Sequence, residues 1–385
     1  MSGGTPPEVL VLSMRRIADV VGYVAMYEFE DLVVELLGAE LLCPPELERI
    51  ERVRQMYKLL RLGTGSSALA GLVRPAAGNL RAGGRRELFL AVFNHPHELF
   101  ALEALRGWRE SARFAAVYIC EAWETQLPRY LLELLRSFDH VFLGVEGACQ
   151  AVGRITGRPT TYLPMGVDAL RFAPPPGDWP RTIDVCGIGR RSPVTHGALL
   201  ALAEAEGHFY YYDTIQRGRG RGTLTFRVID PREHRLLFSN LLKRSRYFIA
   251  NRAWADRPSL THGKDEIASR FYEGAAAGTV MLGEPPDTED FRRQFDWQDA
   301  VVPTPFHAPA IADTLRALEA DPLRVARIRA ESVTQSLLRH DWSHRLTQVL
   351  DTAGLPRSPA MLERQRRLVA AAEAVRARSP RSASA

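Results

Sequence analysis

The sequence predicts an α/β fold made of two doubly wound domains that face a cleft. Three observations support this prediction. A length of 385 residues favours two domains over one. Short apolar strands alternate with longer helical stretches in both halves of the chain, a pattern typical of parallel sheets with helices on both faces. The Pro- and Gly-rich segment 164–181, after which the alternation begins again, marks the boundary between the two domains.

The first domain is predicted to span residues 1–165. Its apolar strands and helices follow one another along the chain. The strands are expected at 8–14, 87–94, 113–120, 140–145 and 160–165, and the helices at 18–38 and 95–108.

An interdomain linker is predicted at 166–181, and the second domain at 182–350. Six strands and several helices are expected in this second part. The strands are expected at 182–189, 208–214, 223–230, 247–251, 279–284 and 299–303, and the helices at 196–207, 265–278, 307–322, 321–342 and 344–356. Residues 351–385 are predicted to form a C-terminal helix and a basic, disordered tail.

Composition excludes several classes of protein. Hydrophobic residues make up 46% and charged residues 25%, as in globular proteins, and no apolar run reaches the roughly 18 residues of a membrane span. Four scattered cysteines without a CxxC pair, and the lack of a signal peptide, predict a cytoplasmic location. A net charge of +5 suits anionic ligands or weak peripheral association with the cytoplasmic membrane face, whereas nucleic acid is not expected. The QRGRGRG run (216–222) is interpreted as a hairpin loop.

The segment DEIASRFYEGAAAG (265–278) predicts an amphipathic helix between two strands. Asp265 and Glu266 are expected in its first turn, Arg270 and Glu273 on its polar face, and Gly278 at its end. One interpretation is a solvated ladder of charges. The other is a binding site, because a carboxylate beside the small residues that follow Glu273 can accept hydrogen bonds from the two hydroxyls of a ribose.

The same segment resembles a motif of the retaining GT-B glycosyltransferases of the family 4 type, in which E-A-x-A-x-G-x-P-V precedes a strand. SRFYEGAAAG is closer still to the CgeB-like subgroup, where an arginine precedes the glutamate, as Arg270 does here. The family's E-x7-E pair stands as D-x7-E if Asp265 is its first member, or is one residue out of register if Glu266 is. YLPMGVDALRFAP (162–174), GIGRRSPVTHGALLAL (187–202) and HDWSHRLTQVL (340–350) resemble further family segments, in the family's order.

This resemblance implies two Rossmann-like domains and a donor site in the second. The family uses an arginine and a lysine to hold the donor diphosphate. Arg190 or Arg191 matches the arginine, and His196 stands where lysine is usual. Glu273 would hold the nucleotide ribose, with Asp265 or Glu266, Arg270 and Gly278 in the same donor-binding segment.

Three further candidates follow strands of the first domain. His95 or His97 stands where related enzymes place a histidine near the sugar, and the alternative is a loop histidine that bonds to the backbone. Glu121 lies at the carboxyl end of a strand, where it would contact the acceptor or cap the next helix.

The function expected from the sequence is glycosyl transfer in carbohydrate biosynthesis, of the hexosyltransferase type. A nucleotide sugar is the donor, and the acceptor is a glycan, a lipid-linked group or a small molecule. No cofactor is expected, and the lack of an Asp-x-Asp pair predicts a metal-independent reaction. Two alternatives stay open: a sugar-nucleotide epimerase on the same fold, and a non-catalytic homologue that binds glycan or nucleic acid.

Overall fold

The computed structural model describes residues 8–15, 20–43, 47–66, 69, 72–73, 80–81, 84–123, 127, 129–175, 179–214, 219–220, 223–224 and 228–378. The chain forms two compact units. The first comprises the described residues within Met1–Pro164, Arg227–Pro231 and Arg345–Glu363, and the second those within Met165–Phe226, Arg232–His344 and Arg364–Ala385.

A six-stranded parallel sheet lies at the centre of the first unit, in the order β2-β1-β4-β6-β7-β8. Its strands are β1 (Val9–Leu12), β2 (Glu40–Leu42), β4 (Arg86–Phe93), β6 (Ala112–Ile119), β7 (His140–Leu143) and β8 (Thr160–Tyr162). Two short strands, β3 (Leu80–Arg81) and β5 (Leu105–Arg106), pair with each other. The central strands are buried on both faces, which explains their continuous apolar sequences.

Helices connect the strands of the first unit. They are α1 (Val24–Leu37), α2 (Leu47–Thr64), α3 (Trp108–Ser111), α4 (Arg129–Arg136) and α5 (Cys149–Thr156). The helix predicted at 95–108 is instead a 3-10 helix, Pro96–Ala104, followed by β5. Its first turn closes with the N–H of Glu98 bonded to the carbonyl of His95, and Leu99–Leu102 are all buried, so this segment has no solvent face of the kind that an amphipathic α-helix needs.

The second unit has a five-stranded parallel sheet in the order β10-β9-β13-β14-β15. Its strands are β9 (Ile183–Gly187), β10 (Tyr210–Tyr212), β13 (Ser245–Ile249), β14 (Val280–Gly283) and β15 (Val302–Pro303). Two apolar clusters contain residues from these strands and the helices around them. The crossover order and the parallel pairing of both sheets confirm the predicted doubly wound α/β fold class.

The helices of the second unit and of the C-terminal part are α6 (Ala169–Phe172), α7 (Pro193–Glu206), α8 (Pro231–Arg244), α9 (Ser269–Ala276), α10 (Glu289–Gln294), α11 (Ile311–Glu319), α12 (Pro322–Gln335), α13 (Trp342–Ala353) and α14 (Pro359–Arg378). A π-helical turn, Ser336–His340, follows α12. No helix of the described ranges is both long and apolar enough to span a bilayer.

Three predicted segments merit comparison with the structure. The segment 166–181, expected as a linker, contains α6 and contributes Val167 and Phe172 to the core of the second unit. Within the predicted hairpin loop, β11 (Arg219–Gly220) pairs antiparallel with β12 (Thr223–Leu224), and the rest of QRGRGRG lies outside the described residues. The predicted C-terminal helix is α14, and the tail from 379 onward also lies outside the described residues.

Candidate functional site

The carboxyl ends of the second unit's strands surround a small recess, termed the second-unit recess. Its apolar wall includes Leu199, Leu282 and Ile311. Its polar lining includes Arg190, Arg191, Ser192, Thr195, His196 and Asn251. Ligands of doubly wound folds bind at this edge of the sheet, because the loops and helix N-termini there offer unpaired backbone groups.

The N-terminus of α7 forms one side of the second-unit recess. Ser192 caps the helix, its hydroxyl accepting a bond from the N–H of Thr195 at 3.3 Å, and Pro193 occupies the first helical position. The Ser192 hydroxyl also lies 2.7 Å from Nδ1 of His307. Pro193 has no N–H, and the N–H groups of Thr195 and His196 both bond to Ser192, so the helix dipole is what makes this N-terminus suitable for an anion.

Two arginines flank this helix end. Arg190 places its guanidinium carbon 3.4 Å from the centre of the Trp254 ring, and its Nε lies 3.5 Å from the carboxylate of Asp256. Arg191 donates from Nη2 to the carbonyl of Asp213 at 2.8 Å, while its buried Nη1 has no hydrogen-bond partner among the described residues. The recess therefore combines two permanent cations with a helix N-terminus.

His196 lies on the first turns of α7, where its Nδ1 is 3.0 Å from the hydroxyl of Tyr210 and its ring meets that of Tyr212 edge-on. Burial, and secondly the neighbouring Arg191, lower the pKa of His196 below its ordinary value. Burial also raises the pKa of Tyr210 to about 12. The free site therefore keeps this imidazole and this phenol neutral at neutral pH.

Arg270 lies in the first turn of α9 and packs under the loop that leads to the second-unit recess. A side chain added at Gly189 would overlap its guanidinium, so only glycine fits there. The N–H of Gly189 bonds to the carboxylate of Asp213. Burial lowers the pKa of Arg270, while the nearby carboxylates of Glu273 and Asp213 act in the opposite direction. Arg270 is thus a partly buried support of the loop.

The helix predicted from Asp265 begins four residues later, at Ser269. The placement of Asp265 and Glu266 in its first turn was therefore wrong. Asp265 instead pairs with Arg252 at 3.4 Å and accepts the N–H of Asp287, and the carbonyl of Glu266 accepts the N–H of Ala253. These tertiary bonds hold both acids in the loop before α9.

The polar face predicted for this helix is buried. Glu273 is 4% exposed and forms an ion pair with Arg235, which is 1% exposed, and its other oxygen lies 3.4 Å from the hydroxyl of Ser269. Gly278 has a left-handed φ of 61° at the amino end of β14, against Val333 and Arg181. Neither Glu273 nor Gly278 lines the second-unit recess, and their donor-binding roles stay predictions.

The first unit brings together three of the predicted residues at the carboxyl ends of β4 and β6. Nε2 of His95 lies 3.9 Å from the carboxylate of Glu121, and its Nδ1 lies 3.4 Å from that residue's carbonyl. The ring of His97 stacks on His95 at 5.1 Å. Trp123 donates from Nε1 to Glu121 at 3.0 Å. Two side chains able to accept a proton, His95 and Glu121, therefore lie side by side at this edge.

A buried carboxylate near the end of β1 was missed by the sequence analysis. Glu30 is fully buried, and one of its oxygens accepts from the hydroxyl of Ser13 at 2.6 Å and from Nε of Arg15 at 3.0 Å. Its other oxygen has no partner among the described residues. Burial raises the pKa of Glu30 to about 7, although Arg15 and Ser13 lower it.

Trp254 and Asp213 were also missed at the second-unit recess. Asp213 directly follows β10, so an acid at the end of a strand was a signal that could have found it. Trp254 carries no comparable sequence signal, because its contact with Arg190 joins residues 64 positions apart. Among the described residues, no group of His, Cys, Asp or Glu side chains has the geometry of a metal site, and the four cysteines are free thiols.

Residues 231–351 match the model of a family described as glycosyl transferase-like. A search of curated protein sequences returned no match. Among solved structures, the N-terminal domain of trehalose-6-phosphate phosphatase from Candida albicans has a TM-score of 0.52 and 8% identity, covering 94% of this chain and 97% of that one.

Two further structures have slightly lower scores. The Anabaena protein HepE, in complex with UDP and glucose, has a TM-score of 0.49 and 12% identity, covering 90% of this chain and 99% of that one. A UDP-forming α,α-trehalose-phosphate synthase from Burkholderia vietnamiensis has a TM-score of 0.48 at the same identity and coverage. The two parallel doubly wound sheets and the likeness to the Candida albicans domain give the chain the predicted GT-B class of fold, with two Rossmann-like units, and residues 231–351 match a glycosyl transferase-like family model.

Proposed function

We propose that this protein is a glycosyltransferase that binds a nucleoside diphosphate sugar in the second-unit recess. The observation that carries the proposal is the meeting of Arg190, Arg191 and the N-terminus of α7 at the carboxyl edge of a parallel sheet. Permanent cations beside the positive end of a helix dipole favour the binding of a diphosphate. The glycosyl transferase-like match at 231–351 covers the strands β13, β14 and β15, which form part of the same edge.

The chemistry follows from charge. In glycosyl transfer the bond between the anomeric carbon and the diphosphate oxygen breaks, and negative charge grows on the leaving diphosphate. Arg190 and Arg191 would stabilise that charge without help from a metal ion, since a guanidinium stays protonated at any physiological pH. The acceptor hydroxyl loses its proton, and the His95–Glu121 pair of the first unit is the proposed group to receive it.

Several finer statements belong to this proposal. The reaction retains the anomeric configuration, as the resemblance of residues 269–278 to the CgeB-like subgroup implies. It is metal-independent, uses no cofactor, and transfers a hexose to a glycan, a lipid-linked group or a small molecule. The protein works in the cytoplasm, with weak association with the membrane face. Activity should persist in excess EDTA, and complete loss that Mn²⁺ or Mg²⁺ restores would overturn the metal-independent part.

The first experiment measures binding of UDP, GDP and ADP by calorimetry, each beside its nucleoside. We expect one nucleotide to bind far more tightly than its nucleoside. Arg191→Ala should weaken the binding of that nucleotide by about 10- to 100-fold, because each charge-assisted bond to a phosphate contributes about 1.5–3 kcal/mol. Arg316→Ala, which removes an exposed arginine from α11, is the matched control and should bind normally.

Product analysis then separates the candidate functions. Purified protein is incubated with a panel of nucleotide sugars, with and without candidate acceptors. Release of nucleoside diphosphate with a new glycoside indicates transfer, whereas a nucleotide sugar with an altered sugar indicates epimerisation. Binding without any turnover across the panel would favour a non-catalytic homologue. If the wild-type protein binds none of the three nucleotides, the second-unit recess is not a donor site.

A further inference from the structure

We propose, on the basis of the function proposed above, that Trp254 is a positioning residue that holds the guanidinium of Arg190 in place for the donor diphosphate. Arg190 reaches the second-unit recess from the loop before α7. Trp254 lies in the loop that follows β13 and does not itself line the recess. It would therefore act on the donor only through Arg190.

The stacking geometry supports this role. The guanidinium carbon of Arg190 lies 3.4 Å from the centre of the Trp254 ring, a direct face-to-ring contact. Asp256, two residues further along the loop, lies 3.5 Å from Nε at the edge of the same guanidinium. The ring determines the plane of the group and the carboxylate determines its rotation in that plane. Because a side chain held in this way loses little freedom on binding, its contact with a phosphate is stronger.

The backbone of Trp254 gives a second, independent indication. Its φ of 55° lies in the left-handed region, which bulky side chains rarely adopt. The turn is held by a bond from the N–H of Arg257 to the carbonyl of Trp254 at 2.8 Å, and by one from the N–H of Ala253 to the carbonyl of Glu266 at 3.2 Å. An unfavourable conformation that the surroundings maintain is found most often at functional sites. Here its effect is to present the indole face to Arg190.

The residues that precede Trp254 in this loop are also held by hydrogen bonds and an ion pair. Arg252 donates from Nε to Glu284 at 2.9 Å and pairs with Asp265 at 3.4 Å. Its N–H bonds to the carbonyl of Glu284, directly after β14. These bonds tie the residues before Trp254 to the end of a core strand. A ring on a rigidly held loop can position its partner, whereas a ring on a free loop cannot.

The second unit contains a matched pair away from the recess. Arg244 lies over Trp179 with 5.0 Å between the guanidinium carbon and the ring centre, and it donates to the carbonyl of Asn240. This pair has the same two side-chain types but lines no part of the second-unit recess. Trp179→Ala therefore removes an indole and a cation–π contact without touching the proposed donor site.

The test is calorimetric titration of UDP, GDP and ADP into wild type, Trp254→Ala, Trp254→Phe, Arg190→Ala and the double variant, with Trp179→Ala as control. For the nucleotide that binds, Trp254→Ala should weaken affinity by about three- to tenfold, the range of a cation–π contact. Trp254→Phe keeps a ring under Arg190 and should recover most of that loss. In the Arg190→Ala background, Trp254→Ala should have no further effect, because the residue acts through Arg190.

Trp254→Gly separates positioning from a general structural role. Glycine accepts a positive φ without strain, so this variant should unfold at the same temperature as Trp254→Ala or higher, yet bind the nucleotide equally weakly. Two outcomes would overturn the positioning role and leave the donor site intact. In the first, the losses of affinity in Trp254→Ala and Arg190→Ala add up in the double variant. In the second, Trp254→Ala binds the nucleotide as tightly as wild type while Arg190→Ala binds it more weakly. Absence of nucleotide binding in the wild-type protein would overturn both proposals.

Discussion

The two parallel sheets differ in the polar side chains that stand out at their carboxyl edges. The second unit places arginines there: Arg190 and Arg191 line its recess and Arg270 lies beneath the loop. The first unit places carboxylates and imidazoles there, with Glu121 beside His95 and the buried Glu30 after β1. Both edges arise from the same strand–loop–helix geometry, so the backbone alone does not separate them.

The difference indicates how two similar units can divide one reaction. An arginine stays charged and suits a diphosphate, whose charge is also permanent. Imidazole and carboxylate groups can accept a proton and suit a neutral hydroxyl, which must lose a proton to react. We propose that the same fold supplies a site for the charged donor in the second unit and a site for the neutral acceptor in the first.

The largest effect is expected for Glu273, the acid of α9. Its substitution tests whether this carboxylate stabilises the fold or binds the ligand. Glu273→Ala leaves the guanidinium of Arg235 buried without its carboxylate, which costs about 3–5 kcal/mol of unfolding free energy. Arg235→Met combined with Glu273→Met removes both charges and should recover most of the stability. Urea unfolding of the single and double variants measures the difference.

The double variant then addresses the ribose prediction. If it folds as well as the wild type yet binds nucleotide at least tenfold more weakly, Glu273 also contacts the ligand. If stability and affinity both return, the residue is structural and the ribose is held elsewhere. A single variant that is as stable as the wild type would contradict the buried ion pair itself.

The second prediction concerns Glu30 and pH. Its pKa is about 7 in the folded protein, against an ordinary value of 4.5, because burial disfavours the charged form. Between these two values the folded state holds a proton that the unfolded state releases. The free energy of unfolding should therefore fall as pH rises from about 4.5 to 7, by about 3 kcal/mol in total.

Glu30→Gln removes this titration and should flatten the dependence over the same interval. Thermal unfolding scans across the pH range measure it, with hydrogen exchange of α1 reporting on the first unit alone. Glu40→Gln is the control, since Glu40 is an exposed carboxylate paired with Arg86 in the same unit. Equal pH slopes in wild type and Glu30→Gln would show that Glu30 is ionised throughout.

The sequence predicts features that depend on residues close together in the chain better than features that depend on distant partners. Strand positions were predicted well because burial on both faces leaves a continuous apolar run: the expected strands at 87–94 and 182–189 correspond to β4 and β9. Arg190 and Arg191 were named because residues 187–202 resemble a family segment, and that segment is contiguous in the chain; their roles stay predictions.

Features that depend on distant partners were not predicted. The start of α9 was placed too early because Asp265 pairs with Arg252 across the loop. Glu273 was expected on a polar face because nothing near it in sequence indicates Arg235, 38 positions away. Burial of an acid therefore cannot be read from helical periodicity when the compensating charge lies on another element.

The third prediction tests the first unit's edge. His95→Ala removes the imidazole of the His95–Glu121 pair and should lower kcat for transfer by about 100-fold, the lower end of the range for general acid–base catalysis. Nucleotide affinity should not change, because that binding is assigned to the second unit. His140→Ala is the control: its ring contacts Thr161 and Phe142 at the amino end of β7. Weaker nucleotide binding in His95→Ala would contradict the assignment of donor binding to the second unit and of proton transfer to the first.

The smallest effect is expected for His196, which lines the second-unit recess but, unlike Arg190 and Arg191, carries no permanent charge. Burial and Arg191 lower its pKa in the free protein, so the imidazole is neutral at neutral pH. A bound diphosphate favours the protonated form, so affinity should be highest at low pH and fall as pH rises through the histidine range. Arg190 and Arg191 keep the remaining affinity at high pH. His196→Lys should flatten this dependence and bind several-fold more tightly than wild type above about pH 7.5.

The ligand for this measurement is a nucleotide sugar rather than a nucleoside diphosphate. A terminal phosphate titrates near pH 6 and would mimic the effect, whereas both phosphates of a nucleotide sugar are esterified and keep constant charge. Affinities between about pH 5.5 and 8.5 are compared for wild type and His196→Lys, with His208→Lys as control, since His208 lies by Glu319 and lines no part of the recess.

Parallel profiles of affinity against pH for wild type and His196→Lys would mean that His196 does not contact the diphosphate. Its bond to Tyr210 would then be its whole role, and the arginines and the start of α7 would hold the donor without it.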